Sequence, residues 1–226
     1  MRMLVTAGPT REYIDPVRYL SNESSGRMGY AIARAAKRRG HDVALISGPT
    51  ALRPPKGVET LNVTSARDMR AAVLERFPEH DALVMAAAVA DFRPRKRARR
   101  KIKKETASSS IELVRNPDVV AEAARKKGDR TVVGFALETN DGPANAMSKL
   151  ERKRLDFVVL NSPAVLGRDD TTVHILGPDG PIEALRSRTK DSVGTSIVRI
   201  VERARSSHDG PSRAEAEITT KRKRTR

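Results

Sequence analysis

Arg18, Ser21 and Asn22 stand within five residues of one another in the stretch Arg11–Tyr30 (REYIDPVRYLSNESSGRMGY), after the apolar segment Met3–Ala7 and the turn Gly8-Pro9-Thr10. A guanidinium, a hydroxyl and a carboxamide so spaced are suited to hold a phosphate and a carboxyl group. Ser24, Ser25, Gly26 and Gly29 follow and open a helix, where free amides and the helix dipole face an anion and glycine lets it approach. The same glycine pair also reads as a tight helix entrance without a ligand, and alone it is a weak signal. The glycines come about a dozen residues later than in a dinucleotide fingerprint, so a nucleotide-type fold is adapted here to other chemistry.

A second group follows an apolar run. Ala86–Pro94 (AAAVADFRP) leaves the carboxyl end of a central strand, where open α/β sheets place ligands. Its alanines permit close approach to a planar ring, and Asp91 could accept from a base or hold a metal-bound water; the plainer alternative is a core strand with a capping aspartate. Next comes Arg93–Lys104 (RPRKRARRKIKK), a solvated basic loop or a segment that closes over a triphosphate, with Lys101, Lys103 and Lys104 set around Ile102. Lys149 and Lys153, four apart on a helix, form either a phosphate clamp or a solvated stripe. The four histidines (His41, His80, His174, His208) show no metal-ligand spacing, and Asp169-Asp170 reads as an acidic turn without assigned function.

The elements that must position these groups alternate strand and helix. Strands are expected at Met3–Ala7, Val43–Ser47, Val58–Val63, Ala82–Ala88, Val132–Ala136 and Phe157–Leu160, with a late hairpin of Val173–Leu176 and Ile182–Leu185 across Gly177–Gly180. Helices are expected at Gly26–Arg39 with Gly40 as its stop, Ser65–Arg76 with Ser65 and Asp68 as a capping box, Asn116–Arg125 with Pro117 at its first position, Pro143–Lys153 and Ser192–Arg203. Repeated βα units imply a Rossmann-like three-layer α/β/α sandwich on a mostly parallel, right-handed sheet. Residues 1–204 form one domain, with a basic flap at about 93–108; residues 205–226 read as a basic, disordered tail dispensable for catalysis.

Composition narrows the class. The 226 residues contain no cysteine, which excludes disulfides, thiolate catalysis and zinc–thiolate sites. No secretory signal precedes the first strand, and no apolar run approaches the roughly 20 residues of a membrane span, so a soluble cytoplasmic protein is expected. The net charge of +16 resides mostly in Arg93–Lys104, with nine basic and no acidic residues, and in the tail, with seven basic and three acidic. The body is close to neutral, and aromatic residues are too scarce for a base-stacking platform. Nucleic acid is at most a non-specific partner.

Taken in order, TAGPTREYIDPVRYLSNESSGRMG, AAAVADFRP, KIKK, NPDVV, VVGFALET and KLERKRLDFVVLN resemble bacterial phosphopantothenate–cysteine ligase, over about Met3 to Arg203. The resemblance implies a step of coenzyme A biosynthesis: CTP activates the carboxylate of 4′-phosphopantothenate as an acyl-cytidylate with release of diphosphate, and L-cysteine then displaces CMP. It implies that Asn22 holds the acyl intermediate and that Arg18 reaches the phosphopantothenate phosphate, across the interface of a homodimer. Met85, Ala86, Ala87 and Asp91 would line the cytidine side, with Ala87 also against the substrate. Lys101 would reach substrate or triphosphate, Pro117, Asp118, Val119 and Val120 would present helix-start amides, Phe135 would pack on the nucleotide, and Lys149 and Lys153 would meet its phosphates. Magnesium accompanies the triphosphate, with no ligand set legible.

The chain departs from the family pattern in three places. Many bacterial relatives carry a flavin-dependent decarboxylase ahead of this domain, whereas this sequence starts at the first ligase strand; if complete, it is monofunctional, carries no flavin, and the decarboxylase is a separate protein. The loop Arg93–Arg100 is richer in arginine than a substrate flap requires. Thr171-Thr172 stands where an asparagine-containing turn is expected. A short-chain reductase is disfavoured because Gly8-Pro9-Thr10 lacks the glycine pattern and no tyrosine is followed by lysine four residues on. A nucleic-acid-binding module using the basic segments is the alternative from another class.

Overall fold

The computed structural model describes residues 1–103, 110–138, 140–161 and 170–208. Along the chain it contains β1 (Arg2–Ala7), β2 (Arg11–Tyr13), β3 (Tyr19–Ser21), α1 (Arg27–Arg38), β4 (Asp42–Ser47), β5 (Glu59–Asn62) and α2 (Ala66–Arg76). There follow β6 (Ala82–Met85), β7 (Phe92–Pro94), β8 (Leu113–Arg115), α3 (Val119–Arg125), β9 (Thr131–Leu137), α4 (Gly142–Lys153), β10 (Phe157–Asn161), β11 (Asp170–Gly177), β12 (Gly180–Thr189) and α5 (Lys190–His208).

The main sheet has the order β12-β11-β10-β9-β6-β1-β4-β5. All neighbours from β5 to β10 are parallel, and β11 and β12 extend one edge antiparallel. Alternating strand side chains feed two separate cores. Met3, Val5, Val43, Leu45 and Val84 pack with Ile32 of α1 and Val193 and Ile197 of α5. Leu4, Ala44, Ile46, Leu83 and Met85 pack with Met69 and Val73 of α2, Val120 of α3 and Leu150 of α4. Each fully buried Leu or Ile adds about 1.5–3 kcal/mol to this frame. The expected Rossmann-like sandwich is therefore the fold observed.

Local signals behave as physics requires at several boundaries. Ser65 and Asp68 form the reciprocal capping box of α2. Gly40 takes φ 84° just past α1. Gly29 has another reason to be glycine: a Cβ there would stand 2.5 Å from the Ala7 Cβ and 2.6 Å from the Thr6 carbonyl. It lets α1 lie directly on β1.

Several expectations need correction. The strand expected at Ala82–Ala88 (β6) ends at Met85, because the backbone beyond is captured by other groups: the Ala87 amide donates to Thr6 Oγ1 (3.1 Å), that of Ala88 to the Gly8 carbonyl (2.9 Å) and that of Ala90 to Thr10 Oγ1 (3.0 Å). Helix α3 starts at Val119; Pro117 precedes the helix, and Asp118 caps it by accepting from the Ala121 amide. Arg93 and Pro94 belong to β7, paired with β8, so the basic loop begins only after them, and residues 104–108 of the expected flap lie outside the described residues. Asp170, Thr171 and Thr172 lie in β11 rather than a turn, while Asp169 falls outside the described residues. Helix α5 includes Arg205–His208, which were assigned to the tail; the rest of the tail lies outside the described residues. The hairpins β2–β3 and β7–β8 were not anticipated. Among the described residues no helix is long and apolar enough to cross a membrane.

Candidate active site

The chain builds β1, β4 and β5 on one side and then crosses to β6 on the other, so the strand order reverses between β1 and β6. A crevice opens at the carboxyl ends of strands where such a reversal occurs. Here it is a cavity of about 480 Å³, lined at one end by Met85, Ala87, Val89, Asp91 and Phe92, at another by Arg115–Val120, and closed by Gly134, Phe135, Lys149 and Lys153. Its floor is fixed by buried threonines: Thr6 Oγ1 donates to Met85 Sδ (3.3 Å) while accepting from the Ala87 amide.

Ten of the residues expected to bind nucleotide line this one cavity: Met85, Ala87, Asp91, Pro117, Asp118, Val119, Val120, Phe135, Lys149 and Lys153. Ala86 turns the chain out of β6, its amide donating to the Val84 carbonyl at 3.2 Å. The Asn22 carboxamide donates to the Ala88 and Val89 carbonyls (3.3 and 3.2 Å), which puts it at the rim. Gly26 caps α1 in the left-handed region, its amide 3.4 Å from Ser24 Oγ, and neither it nor Ser24, Ser25 or Gly29 lines the cavity. Arg18 and Lys101 also lie outside the cavity lining.

The two lysines are not a solvated stripe. Lys149 Nζ donates to the Phe135 carbonyl at 2.6 Å, and Lys153 Nζ lies 2.8 Å from Asp118 Oδ2. Burial, helped by the neighbouring Lys153 charge, pushes the Lys149 ammonium below the ordinary lysine range against the pull of Glu138, Asp118 and Asp91. Partial burial works against the Asp118 carboxylate, yet the Lys153 ammonium and the Ala121 amide hold it below the usual range. The cavity thus holds cationic charge in excess of what its own carboxylates use, an arrangement that favours an incoming polyanion.

Asn116 and Arg115 were missed. Asn116 Nδ2 donates to the Ala90 carbonyl (2.8 Å), and its Oδ1 accepts from Arg93 Nη1 (3.1 Å), clamping β7 to the entry of α3. Asn116 opens the NPDVV motif itself, so the signal was present; Arg115 lies one residue before it and had none. Among the described residues no three His, Cys, Asp or Glu side chains gather to hold a metal.

A mostly parallel, doubly wound sheet with a cationic cavity at its switch point defines a Rossmann-like α/β domain. Residues 1–204 match the model of the DNA/pantothenate metabolism flavoprotein C-terminal domain, and the chain belongs to that family. It is 44% identical over 203 residues to the coenzyme A biosynthesis bifunctional protein CoaBC of Vibrio parahaemolyticus serotype O3:K6, covering 87% of this chain and 51% of that protein. With the CoaBC of Mycolicibacterium smegmatis it shares 45% over 225 residues, 93% of this chain and 54% of the other. The chain therefore spans about half the length of these curated relatives. A crystal structure of the C-terminal domain of CoaBC matches with a TM-score of 0.77 at 39% identity, covering 89% of this chain and 93% of that one.

Proposed function

We propose that this chain carries phosphopantothenate–cysteine ligase activity: it joins 4′-phosphopantothenate to L-cysteine with CTP, in the cytoplasm, as a step of coenzyme A biosynthesis. The observation that carries the reading is the convergence of four separated sequence motifs on one cavity, with Lys149 and Lys153 in its wall. Family membership and identity to CoaBC proteins support it.

In the reaction, a carboxylate oxygen of phosphopantothenate attacks the α-phosphorus of CTP, and the bond from that phosphorus to the bridging oxygen of diphosphate breaks. The cysteine amine then attacks the acyl carbon, CMP departs with its oxygen, and the amine loses a proton to solvent. No electrons are transferred, so the chemistry calls for no flavin. The cavity contributes alignment and charge neutralisation rather than a nucleophile or histidine base. Lys149 and Lys153 face the phosphates, the latter exchanging Asp118 for the incoming anion. The amides of Val119 and Val120 at the start of α3 add donors, since Asp118 takes only that of Ala121. Met85, Val89 and Phe135 wall the pyrimidine, and Asn22 and Ala87 border the acyl group.

Magnesium fits as an ion that arrives on the triphosphate: the cavity offers two carboxylates, Asp91 and the Lys153-paired Asp118, rather than an all-protein cage, and such partial ligation suits this cation. When bound it would neutralise phosphate charge. A homodimer completes the reading, in which Arg18 serves a neighbouring site. The deciding experiment measures diphosphate release from CTP or ATP with phosphopantothenate and cysteine each omitted in turn, and mass of the product. Diphosphate release with CTP and phosphopantothenate, and amide formed only with cysteine, are expected; no cysteine adduct with any nucleotide would end the proposal.

A further inference from the structure

Asp15 is fully buried in a chain segment that reads as a surface loop. Its Oδ1 accepts from the amides of Val17 and Arg18, both at 2.8 Å. Its Oδ2 accepts from Arg18 Nε (3.0 Å), Arg18 Nη2 (2.6 Å) and the amide of Ile102 (3.2 Å), 87 residues away. Arg18 Nη2 donates in turn to the Ile102 carbonyl at 2.9 Å. One carboxylate thus shapes the hairpin turn, seizes one edge of a guanidinium, and with it grips both backbone groups of the residue between Lys101 and Lys103.

The consequence for Arg18 is geometric. Nε and both hydrogens of Nη2 are committed, and Nη1 has no protein partner among the described residues. The side chain is half exposed, so the committed edge faces inward and Nη1 faces out. A guanidinium already fixed on one edge loses less rotational freedom when its free edge takes a phosphate oxygen. The basic segment is docked on the same hairpin at two further points, by the Ala98 amide on the Ile14 carbonyl (2.8 Å) and by Arg97 stacked 4.7 Å from the Tyr13 ring centroid. Asp15 is the side chain that ties this docking to Arg18.

We propose that Asp15 is a positioning residue for phosphate recognition: it presents Arg18 Nη1 and, through Ile102, the lysines on either side as one cationic face for the phosphate monoester of the substrate. This rests on the ligase reading above. It does not require Asp15 to touch substrate. A carboxylate buried with five donors also needs every one of them, since an unpaired buried charge is strongly disfavoured, so loss of the charge must disturb Arg18 and Ile102 together.

The test compares the unaltered protein with Asp15→Asn and Ile102→Pro, the latter removing the amide that reaches Asp15 while leaving the Asp15–Arg18 pair in place. Two readouts are taken: initial trypsin cleavage after Lys103, the bond that stays cleavable in all three proteins because a proline following Lys101 makes that bond resist trypsin, and separate KM values for phosphopantothenate and CTP. In Asp15→Asn cleavage should quicken about fivefold or more, as a lost local tether allows. Its KM for phosphopantothenate should rise about tenfold, the loss of one charge-assisted bond, with the KM for CTP and kcat within about twofold. In Ile102→Pro cleavage should quicken while the KM for phosphopantothenate rises less, since Arg18 keeps Asp15. If Asp15→Asn does not fold, Ile102→Pro alone decides: unchanged cleavage overturns the proposal. Both KM values rising together, or kcat falling alone, would make Asp15 a structural staple and overturn it too. An unaltered protein without turnover would end the ligase reading, and the trypsin comparison would still stand or fall by itself.

Discussion

Lys153 of α4 and Asp118 at the start of α3 pair at 2.8 Å across the mouth of the cavity, while the other carboxylate oxygen of Asp118 caps its own helix. One aspartate therefore restrains a cation in the cavity wall and shapes the helix entrance beside it. Lys153→Met should raise the KM for CTP about tenfold, since a charge-assisted contact to phosphate is lost. It also has a pH signature. The native pKa of Asp118 is lowered, so its stabilisation is fully present above the unfolded carboxylate value and fades as pH falls through the lower native value. The stability difference between the protein and Lys153→Met should follow that course. It should stay under about 1 kcal/mol, because Asp118 is half exposed and solvent screens the pair. Denaturation curves at neutral and acid pH check this; a difference that grows on acidification would contradict it.

Lys149 illustrates a site that holds charge at a cost to stability. Its ammonium is disfavoured by burial and by Lys153, so the unfolded chain holds that proton more readily. Stability tied to this group should therefore rise with pH from the lowered native value up to the ordinary lysine value. Lys149→Met should remove that alkaline rise and leave the melting temperature equal or higher, with the lost bond to the Phe135 carbonyl limiting the gain. Nucleotide KM should increase at least about tenfold. A fall in melting temperature of more than a few degrees would mean that the lysine is structural.

Much of this was legible because the deciding signals are local. The apolar strands, the Ser65–Asp68 box and the Gly40 stop each follow from a few neighbouring residues, and residues of the NPDVV and KLERK motifs line one cavity. What escaped depends on distant partners. Strands β2, β3, β7 and β8 have three residues each, too short for a period-2 pattern, and exist because they pair with each other. Asp15 looked like any loop carboxylate until Ile102 arrived from the far side of the chain. The end of α5 is held by Glu202 near Arg39 and by Arg205 on the Asp129 carbonyl, contacts that charge composition alone reads as a solvated tail.

Asn22 tests the acyl side of the cavity. Its carboxamide donates to two carbonyls on the exit of β6, and a carboxylate in its place would face both with no hydrogen to offer. It would also set a negative charge beside an acyl phosphate. Asn22→Asp should lower kcat about 100-fold, in line with the loss of one oriented donor at a reacting centre, and leave CTP binding within about twofold. Calorimetric titration with CTP and single-turnover assays separate the two. Normal turnover would remove Asn22 from the chemistry.

The last prediction concerns the second copy of the chain. Val17 and Tyr19 on the β2–β3 hairpin, with Phe92, Ile111 and Leu113 on or beside β7–β8, are all exposed large apolar residues, and β2 contacts β7, so the two separate hairpins that carry them are neighbours. Exposed apolar groups gathered on one face mark an interaction surface. Arg18 projects from the same hairpin, so a two-fold axis through this face would carry it toward a neighbouring cavity. Leu113→Asp changes an exposed residue and should leave the melting of the isolated chain intact. It should convert a dimer to a monomer, because a carboxylate buried at the interface without a partner opposes association. Turnover should fall with the dimer and recover at high protein concentration. Sedimentation velocity with parallel assays decides: an unaltered protein that is fully active as a monomer would refute the shared site and leave the apolar face to some other partner.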